Sequence, residues 1–234
     1  MELVRLNKYL KDTGICSRRK ADEFIVNGHI KVNGIVVTEL GYKINPQIDK
    51  VEVLTSAHQI ISQFKYIVLN KPKGYVCSKS DLDGKTIFEL VPDIKDLTYA
   101  GRLDKDSQGL IILSNDGQFI YNIAGAEFHC EKEYLVRVNK IITPEYLKEQ
   151  SNGNIKLNGK TVRKTKIEYI NDYLYKIILT EGMNRQIRRM AENQGYKVTG
   201  LKRIRIGIIS DHNISIGTWR YLTQNEIESL KRTI

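Results

Sequence analysis

The stretch Gly101-Arg102-Leu103-Asp104-Lys105-Asp106-Ser107-Gln108-Gly109-Leu110 sets a carboxylate between two glycines, ahead of the apolar run Leu110-Ile111-Ile112-Leu113. That run reads as a buried strand. Glycine lets the backbone pass close to a bound ligand, and loops carried on rigid elements often hold reactive groups. Asp104 is therefore expected at the mouth of a sheet, where a carboxylate can stabilise developing positive charge or act covalently. A loop Asp that satisfies its own turn amides fits these residues equally well.

Other chemistries find no support. Gly84-Lys85-Thr86 resembles the end of a phosphate-binding loop, but Lys79 stands where that motif needs glycine. His29, His58, His129 and His212 are scattered, and His129-Cys130 lacks partners at metal-ligand spacing. No metal is expected. Cys16, Cys77 and Cys130 are odd in number and form no Cys-x-x-Cys pair, so neither a disulfide framework nor a zinc site is expected.

The composition points to a polyanionic partner. The 234 residues carry 37 Lys and Arg against 27 Asp and Glu, a net charge of +10. A surplus of that size suggests nucleic acid. It concentrates between Gly182 and Arg205, with seven basic residues against one acidic. An apolar fraction of 41% suits a folded globular protein. Met1-Glu2-Leu3-Val4-Arg5 opens no signal-peptide core, and no apolar run approaches the ~20 residues that span a bilayer. A cytoplasmic protein with no membrane partner is expected, with a monomer as the default.

The elements that must position Asp104 fall into two expected domains, residues 1–60 and 61–234. In the first, Val4, Leu6 and Leu10 share a helical stripe that Gly14 ends. Ser17 is a plausible N-cap for a second helix with Ala21, Phe24 and Ile25 inward, closed by Asn27-Gly28. Asn33-Gly34 between Ile30-Lys31-Val32 and Ile35-Val36-Val37 signals a hairpin. Val51–Leu54 reads as a strand, and Thr55–Phe64 as a linker. From Tyr66 onward, strands are expected at Tyr66–Leu69, Leu110–Leu113, Tyr134–Val138, Lys166–Ile170 and Tyr173–Leu179. Helices are expected at Gly117–Ala124, Thr143–Glu149, Asn184–Asn193 and Gln224–Leu230. Short turns such as Asn171-Asp172 favour antiparallel neighbours. The expected class is α+β, on a mixed, mostly antiparallel sheet.

Two resemblances sharpen this reading. Residues 3–54, with R-L-N-K-Y-L, C-S-R-R-K-A-D and N-G-H-I-K-V-N-G, resemble the S4 RNA-binding domain. Arg18, Arg19 and Lys20 fall in the first turn of a helix whose dipole already favours anions, a placement that suits a phosphate neighbour. Arg5, Lys8, Ser17, Lys31 and Asn33 complete the RNA contacts expected on this domain. A solvated charged face is the plainer alternative.

The ten residues around Asp104 resemble the active-site motif of pseudouridine synthases, whose catalytic carboxylate falls at Asp104. Glu131–Val136 is similar to the K-x-Y motif, Leu179–Met190 to the E-G-x-N-R-Q-I-R-R-M signature of the RsuA-type family, and Asn70–Gly74 to its N-K-P-x-G strand end. The wording D-K-D-S-Q-G-L-I is similar to the RluF-like branch. The resemblance implies isomerisation of a uridine in ribosomal RNA, without a cofactor. A large-subunit stem-loop is favoured, and a tRNA is kept as a further candidate. The base must leave its stack to be reached. Tyr134 would floor the flipped base, Leu179 would exclude water beside it, and Arg185 would pair with Asp104, since a guanidinium stabilises an ionised carboxylate. Arg102 would hold the flipped nucleotide or its phosphate. Arg188, Arg189, Lys202, Arg203 and Arg205 are expected on the phosphate backbone. Tyr134 and Leu179 also read as ordinary strand and core residues.

Two rivals follow. A non-catalytic RNA-binding or ribosome-assembly protein would not need Asp104, Tyr134 and Arg185 together. A hydrolytic nucleosidase or glycosidase would use paired carboxylates, with Asp106 as the second.

Overall fold

The computed structural model describes residues 3–13, 15–56, 64–82, 84–91 and 97–232. Gly14, His58 and most of the expected linker, residues 57–63, lie outside the described residues. The chain divides into two compact units, residues 1–65 with 114–119, and residues 66–113 with 120–234.

In the smaller unit, β1 (Val4–Arg5) leads into α1 (Leu6–Asp12), followed by α2 (Arg18–Val26), β2 (Ile30–Val32), β3 (Ile35–Val36), β4 (Lys43–Ile44) and β5 (Val51–Val53). The Ser17 Oγ accepts the Lys20 amide at 3.3 Å and caps α2. Leu6, Leu10, Ala21, Phe24, Ile25, Ile30, Val32 and Ile44 close into one core. Asn33 and Gly34 take φ of 52° and 81°, the pair of positive values a tight hairpin turn requires. They bring β2 and β3 together, and β5 adds on the other side of β2.

The larger unit is built on a nine-stranded sheet. Its strands are β6 (Tyr66–Lys71), β7 (Thr98–Ala100), β8 (Gln108–Ser114), β9 (Lys132–Val138), β12 (Lys166–Asn171), β13 (Leu174–Leu179), β14 (Val198–Ile206), β15 (Ile209–Ser210) and β16 (Trp219–Tyr221). A separate hairpin pairs β10 (Lys156–Leu157) with β11 (Lys160–Thr161). The spatial order is β12-β13-β9-β14-β8-β6-β16, with β7 on β8 and β15 on β14. β14 runs parallel to β8 and antiparallel to β9, and β12–β13, β13–β9 and β6–β16 are antiparallel. The fold is α+β on a mixed, mostly antiparallel sheet. The helices are α3 (Gly117–Ala124), α4 (Pro144–Ser151), α5 (Gln186–Asn193) and α6 (Gln224–Arg232). Among the described residues, no helix is long and apolar enough to cross a membrane.

Three sequence expectations shift. Val4, expected on the first helical stripe, pairs with Ile44 in β1, and α1 begins at Leu6. The helix expected from Asn184 begins at Gln186, because Arg185 takes a left-handed φ of 51° that an α-helix cannot include. The nine-residue central strand β14 overlaps the end of the stretch read above only as a basic run. Its buried positions, Val198, Leu201, Arg203 and Ile206, do not alternate cleanly, since the register shifts between Val198 and Gly200 and between Arg203 and Arg205.

β8 and β14 approach closely. Gly109 pairs with Arg203 across the parallel ladder at φ +114°, and a β-carbon placed there would lie 2.2 Å from the Arg203 carbonyl oxygen. Only glycine fits. Gly109→Ala is expected to lower stability by about 3 kcal/mol or more, from backbone strain plus overpacking. An unchanged urea-unfolding midpoint would refute that account of the strand pair.

Candidate active site

Asp104 sits in the loop that joins β7 to β8, and this loop is held from behind by Lys71. The end of β6 is buried, so the Lys71 ammonium lies inside the protein with no exposed surface. It donates to the carbonyls of Pro72 at 3.0 Å, Asp104 at 3.1 Å and Ser107 at 2.7 Å. All three ammonium donors are thereby used. Burial pushes the Lys71 ammonium below its ordinary range. The Ser107 amide also donates to the Asp104 carbonyl, at 3.0 Å, closing the turn. The turn is therefore satisfied by main chain and Lys71. The Asp104 carboxylate accepts from none of its amides among the described residues.

That carboxylate faces two guanidinium groups instead. Arg185 Nη1 and Arg188 Nε each lie 3.4 Å from Asp104 Oδ2. The two arginines differ in setting. The Arg185 side chain is 45% exposed and that of Arg188 10%. Arg188 is further fixed by donating to Ser107 Oγ and to the Val198 carbonyl, each at 3.1 Å. It ties α5, β14 and the Asp104 loop together. Arg185 precedes α5 in the left-handed conformation, an unfavourable backbone state for a non-glycine residue that is typical of functional sites. The sequence reading put Arg188 on the phosphate backbone; its burial turns it instead toward Asp104.

In front of Asp104 lies a cavity of about 160 Å³ whose walls include Arg102, Tyr134, Leu179, Arg185 and Arg203. Tyr134 stands on β9 between two apolar clusters of the core. Leu179, at the end of β13, is 3% exposed, so it is core and pocket wall at once. Arg102 is exposed at the rim. Arg203 is buried on β14. Its Nε donates to the Leu110 carbonyl at 2.6 Å, its guanidinium lies 6.0 Å from the Tyr134 ring centre, and Nη1 is 3.5 Å from the Tyr134 hydroxyl. Arg203, like Arg188, thus departs from the expected phosphate-facing position.

Several wall residues escaped the sequence reading. Lys132, in the K-x-Y segment, is buried and donates to the Ile123 carbonyl at 2.6 Å, and burial lowers its pKa. Glu181 also lines the cavity, but its Oε1 already accepts from the Arg163 amide at 3.0 Å and Gln186 Nε2 at 2.9 Å. Gln186 Oε1 accepts the Met183 amide at 3.0 Å, so the turn into α5 is braced from both sides. Asp106 is exposed and is not on these walls. For Lys71 the available signal was a lysine ending an apolar strand before Pro72, whereas Glu181, directly before Gly182, carries no local signal. Among the described residues, no three of His, Cys, Asp and Glu converge on a metal position.

The remaining basic candidates are divided. In the smaller unit Arg5, Lys8, Arg18 and Arg19 are exposed. Lys20 pairs with Glu23 at 2.6 Å, Lys31 is half-buried, and Asn33 clamps the hairpin by bonds of 2.9 Å to Asp49 and to the Lys50 amide. In the larger unit Arg189 donates to Asn158 at 2.6 Å, and Lys202 pairs with Asp211. Arg205 pairs with Glu131 at 2.9 Å and Glu133 at 2.7 Å.

A helix-and-hairpin RNA-binding module followed by a sheet that presents an arginine-held aspartate defines a class of RNA-modifying enzymes, and comparison with known proteins agrees. The S4 domain family model matches residues 4–47, and the RNA pseudouridylate synthase model matches residues 65–193. The chain is 40% identical over 232 residues to the dual-specificity RNA pseudouridine synthase RluF of Escherichia coli strain K12, covering 99% of this chain and 79% of the relative. It is 35% identical to the ribosomal small subunit pseudouridine synthase A of Haemophilus influenzae, covering 97% and 99%. A solved pseudouridylate synthase structure superposes with a TM-score of 0.71 at 32% identity, covering 97% of this chain and 99% of that one. The chain belongs to the pseudouridine synthase family, in its S4-bearing RsuA-type branch with RluF-like relatives, and is an enzyme of that class.

Replacing Lys71 with Met keeps much of the side-chain volume but strips donors from buried carbonyls. It is expected to cost about 2 kcal/mol and to raise hydrogen exchange at the Asp104–Ser107 turn. Unaltered protection of the Ser107 amide would show that Lys71 does not hold the loop.

Proposed function

We propose that this RNA pseudouridine synthase acts on ribosomal RNA, with a large-subunit stem-loop as its substrate, and that Asp104 is its catalytic residue. The observation that carries the assignment is the Asp104 carboxylate, set 3.4 Å from both Arg185 and Arg188 at the wall of the cavity that Tyr134 and Leu179 also line. The target uridine flips into that cavity. Its N1–C1′ bond breaks, the uracil turns, and a C5–C1′ bond forms. The proton leaves C5 and N1 gains one, so the reaction is an isomerisation that needs no oxidant and no cofactor.

Asp104 serves the sugar side, where bond cleavage develops positive charge. It acts by attack on the sugar carbon or by removing a sugar proton. A uridine deuterated at C2′ separates these routes, since only proton removal slows. Tyr134 floors the uracil, and its hydroxyl, beside Arg203, assists loss of the C5 proton. Leu179 keeps water from the base. Arg185 and Arg188 hold the carboxylate, and Arg102 grips the flipped nucleotide at the rim.

The large-subunit assignment rests on the D-K-D-S-Q-G-L-I wording and on Gly125–Tyr134. A tRNA is the natural second substrate to test. We assign RNA anchoring to the domain before residue 60, through Arg5, Lys8, Arg18, Arg19, Lys20 and Lys31 with Ser17 and Asn33 shaping the surface, and catalysis to the rest. The enzyme works as a cytoplasmic monomer.

Asp104→Asn removes charge with little change in volume. It is expected to abolish turnover while RNA affinity stays within about twofold, because phosphate contacts dominate binding. Carbodiimide primer-extension mapping on unmodified ribosomal RNA of both subunits checks this. A stop made by the wild type alone identifies the nucleotide, and retained activity in the variant removes Asp104 from its role. Deleting residues 1–60 is expected to weaken RNA binding more than the single-turnover rate at saturating enzyme. Equal affinity of the full and shortened chains in a filter-binding titration would contradict that division.

A further inference from the structure

Most basic side chains around β14 are spent inside the protein, but two that are not lie together in a second cleft. It has a volume of about 500 Å³, and Lys73, Lys197, Arg185, Arg188, Asp106 and Glu192 line it. Lys73 follows Pro72, next to the Lys71 that holds the Asp104 loop, and Lys197 immediately precedes β14. Both are exposed, and neither makes an ion pair among the described residues. Arg185 lines both this cleft and the Asp104 cavity, so the two spaces share a wall there, and Arg188 on the cleft side bonds to the same Asp104 carboxylate. Four cations against two carboxylates leave the lining positive. Among the described residues no aromatic ring lines it for a base to stack on, whereas a phosphate needs only converging donors.

We propose that this cleft seats a phosphodiester of the RNA strand flanking the nucleotide whose base enters the Asp104 cavity, with Lys73 and Lys197 as its contacts. The proposal rests on the synthase reading above, since only that reading makes a flipped nucleotide the occupant next door. A base drawn into one space pulls its own backbone across the shared wall. Arg185 is exposed and, among the described residues, its side chain bonds to Asp104 alone, so it is the group on that wall able to turn toward the incoming phosphate. Arg188, bonded to Ser107 and Val198, stays with the carboxylate.

The test is a filter-binding titration of the Lys73→Gln/Lys197→Gln double variant on an unmodified large-subunit ribosomal RNA transcript, over a range of salt. Phosphate contacts are read without regard to sequence. The slope of log K against log salt is expected to fall by about 1.5 relative to the wild type, with Kd rising on the order of tenfold near 0.1 M salt. A Lys148→Gln/Lys164→Gln variant removes the same charge elsewhere on the unit and is expected to leave the slope near the wild-type value. Lys73→Arg/Lys197→Arg should restore it, which separates lost contacts from misfolding. A wild-type slope in the first variant, or an equal loss in the control pair, overturns the proposal. If the wild type forms no pseudouridine on the transcript, the substrate reading falls, while the difference in slopes still decides the cleft.

Discussion

The Asp104 carboxylate is held in place by cations, and in this chain much of the holding is done by side chains that cannot easily leave. Arg188 is buried on α5 and bonds to the Asp104 carboxylate, to Ser107 and to Val198. Lys71 takes the carbonyl side of the same loop. Burying such charges costs several kcal/mol each unless every donor is used, and here the donors are aimed at carbonyls and at one carboxylate. The helix after Arg185, the end of β6 and the start of β14 are thereby fixed relative to Asp104. Much of the surrounding sheet can be understood as the scaffold this arrangement demands, including the passage of β8 against β14 at Gly109, where no side chain fits.

Those demands explain what could be read from the sequence. The elements with a clean period, such as α2 with its Ser17 cap, the Asn33-Gly34 hairpin and the apolar run of β8, lie within a few residues of where the pattern puts them. β14 was hidden because two register shifts break its alternation and because its inward-facing positions include Arg203. A pattern that equates basic with exposed cannot find a strand whose arginine is buried. The start of α5 was misplaced for a related reason: the left-handed turn at Arg185 is imposed by the site, not by local propensity. Asp104 itself stood out through its glycines, but its setting did not. That Lys71, Arg188 and Arg203 point inward follows from contacts distant in sequence, which no local pattern carries.

The same contacts change what the net charge of +10 means. Arg205 is matched by Glu131 and Glu133, Lys202 by Asp211, and Arg163 by Glu181. These pairs organise the larger unit and contribute little to attraction at a distance. Charge that can meet phosphate is a smaller set, represented by Arg18 and Arg19 in one unit and by Lys73 and Lys197 in the other. A formal surplus therefore overstates the electrostatic footprint of a chain whose basic residues also serve as internal struts.

Isomerisation rather than hydrolysis also follows from how the acids are used. A glycosidase needs a second carboxylate to activate water. Glu181 shares the cavity with Asp104, but its Oε1 accepts from the Arg163 amide and Gln186 and its Oε2 lies 3.8 Å from Arg163 Nε, and Asp106 lies on the other cleft. In the proposed reaction a detached uracil then turns beside Leu179 and Tyr134, with the Glu181 carboxylate held by Arg163 and Gln186. Recapture of the sugar by the C5 carbon is favoured because the base stays in contact with it, while the second carboxylate among the described wall residues, Glu181, is paired with Arg163 and Gln186.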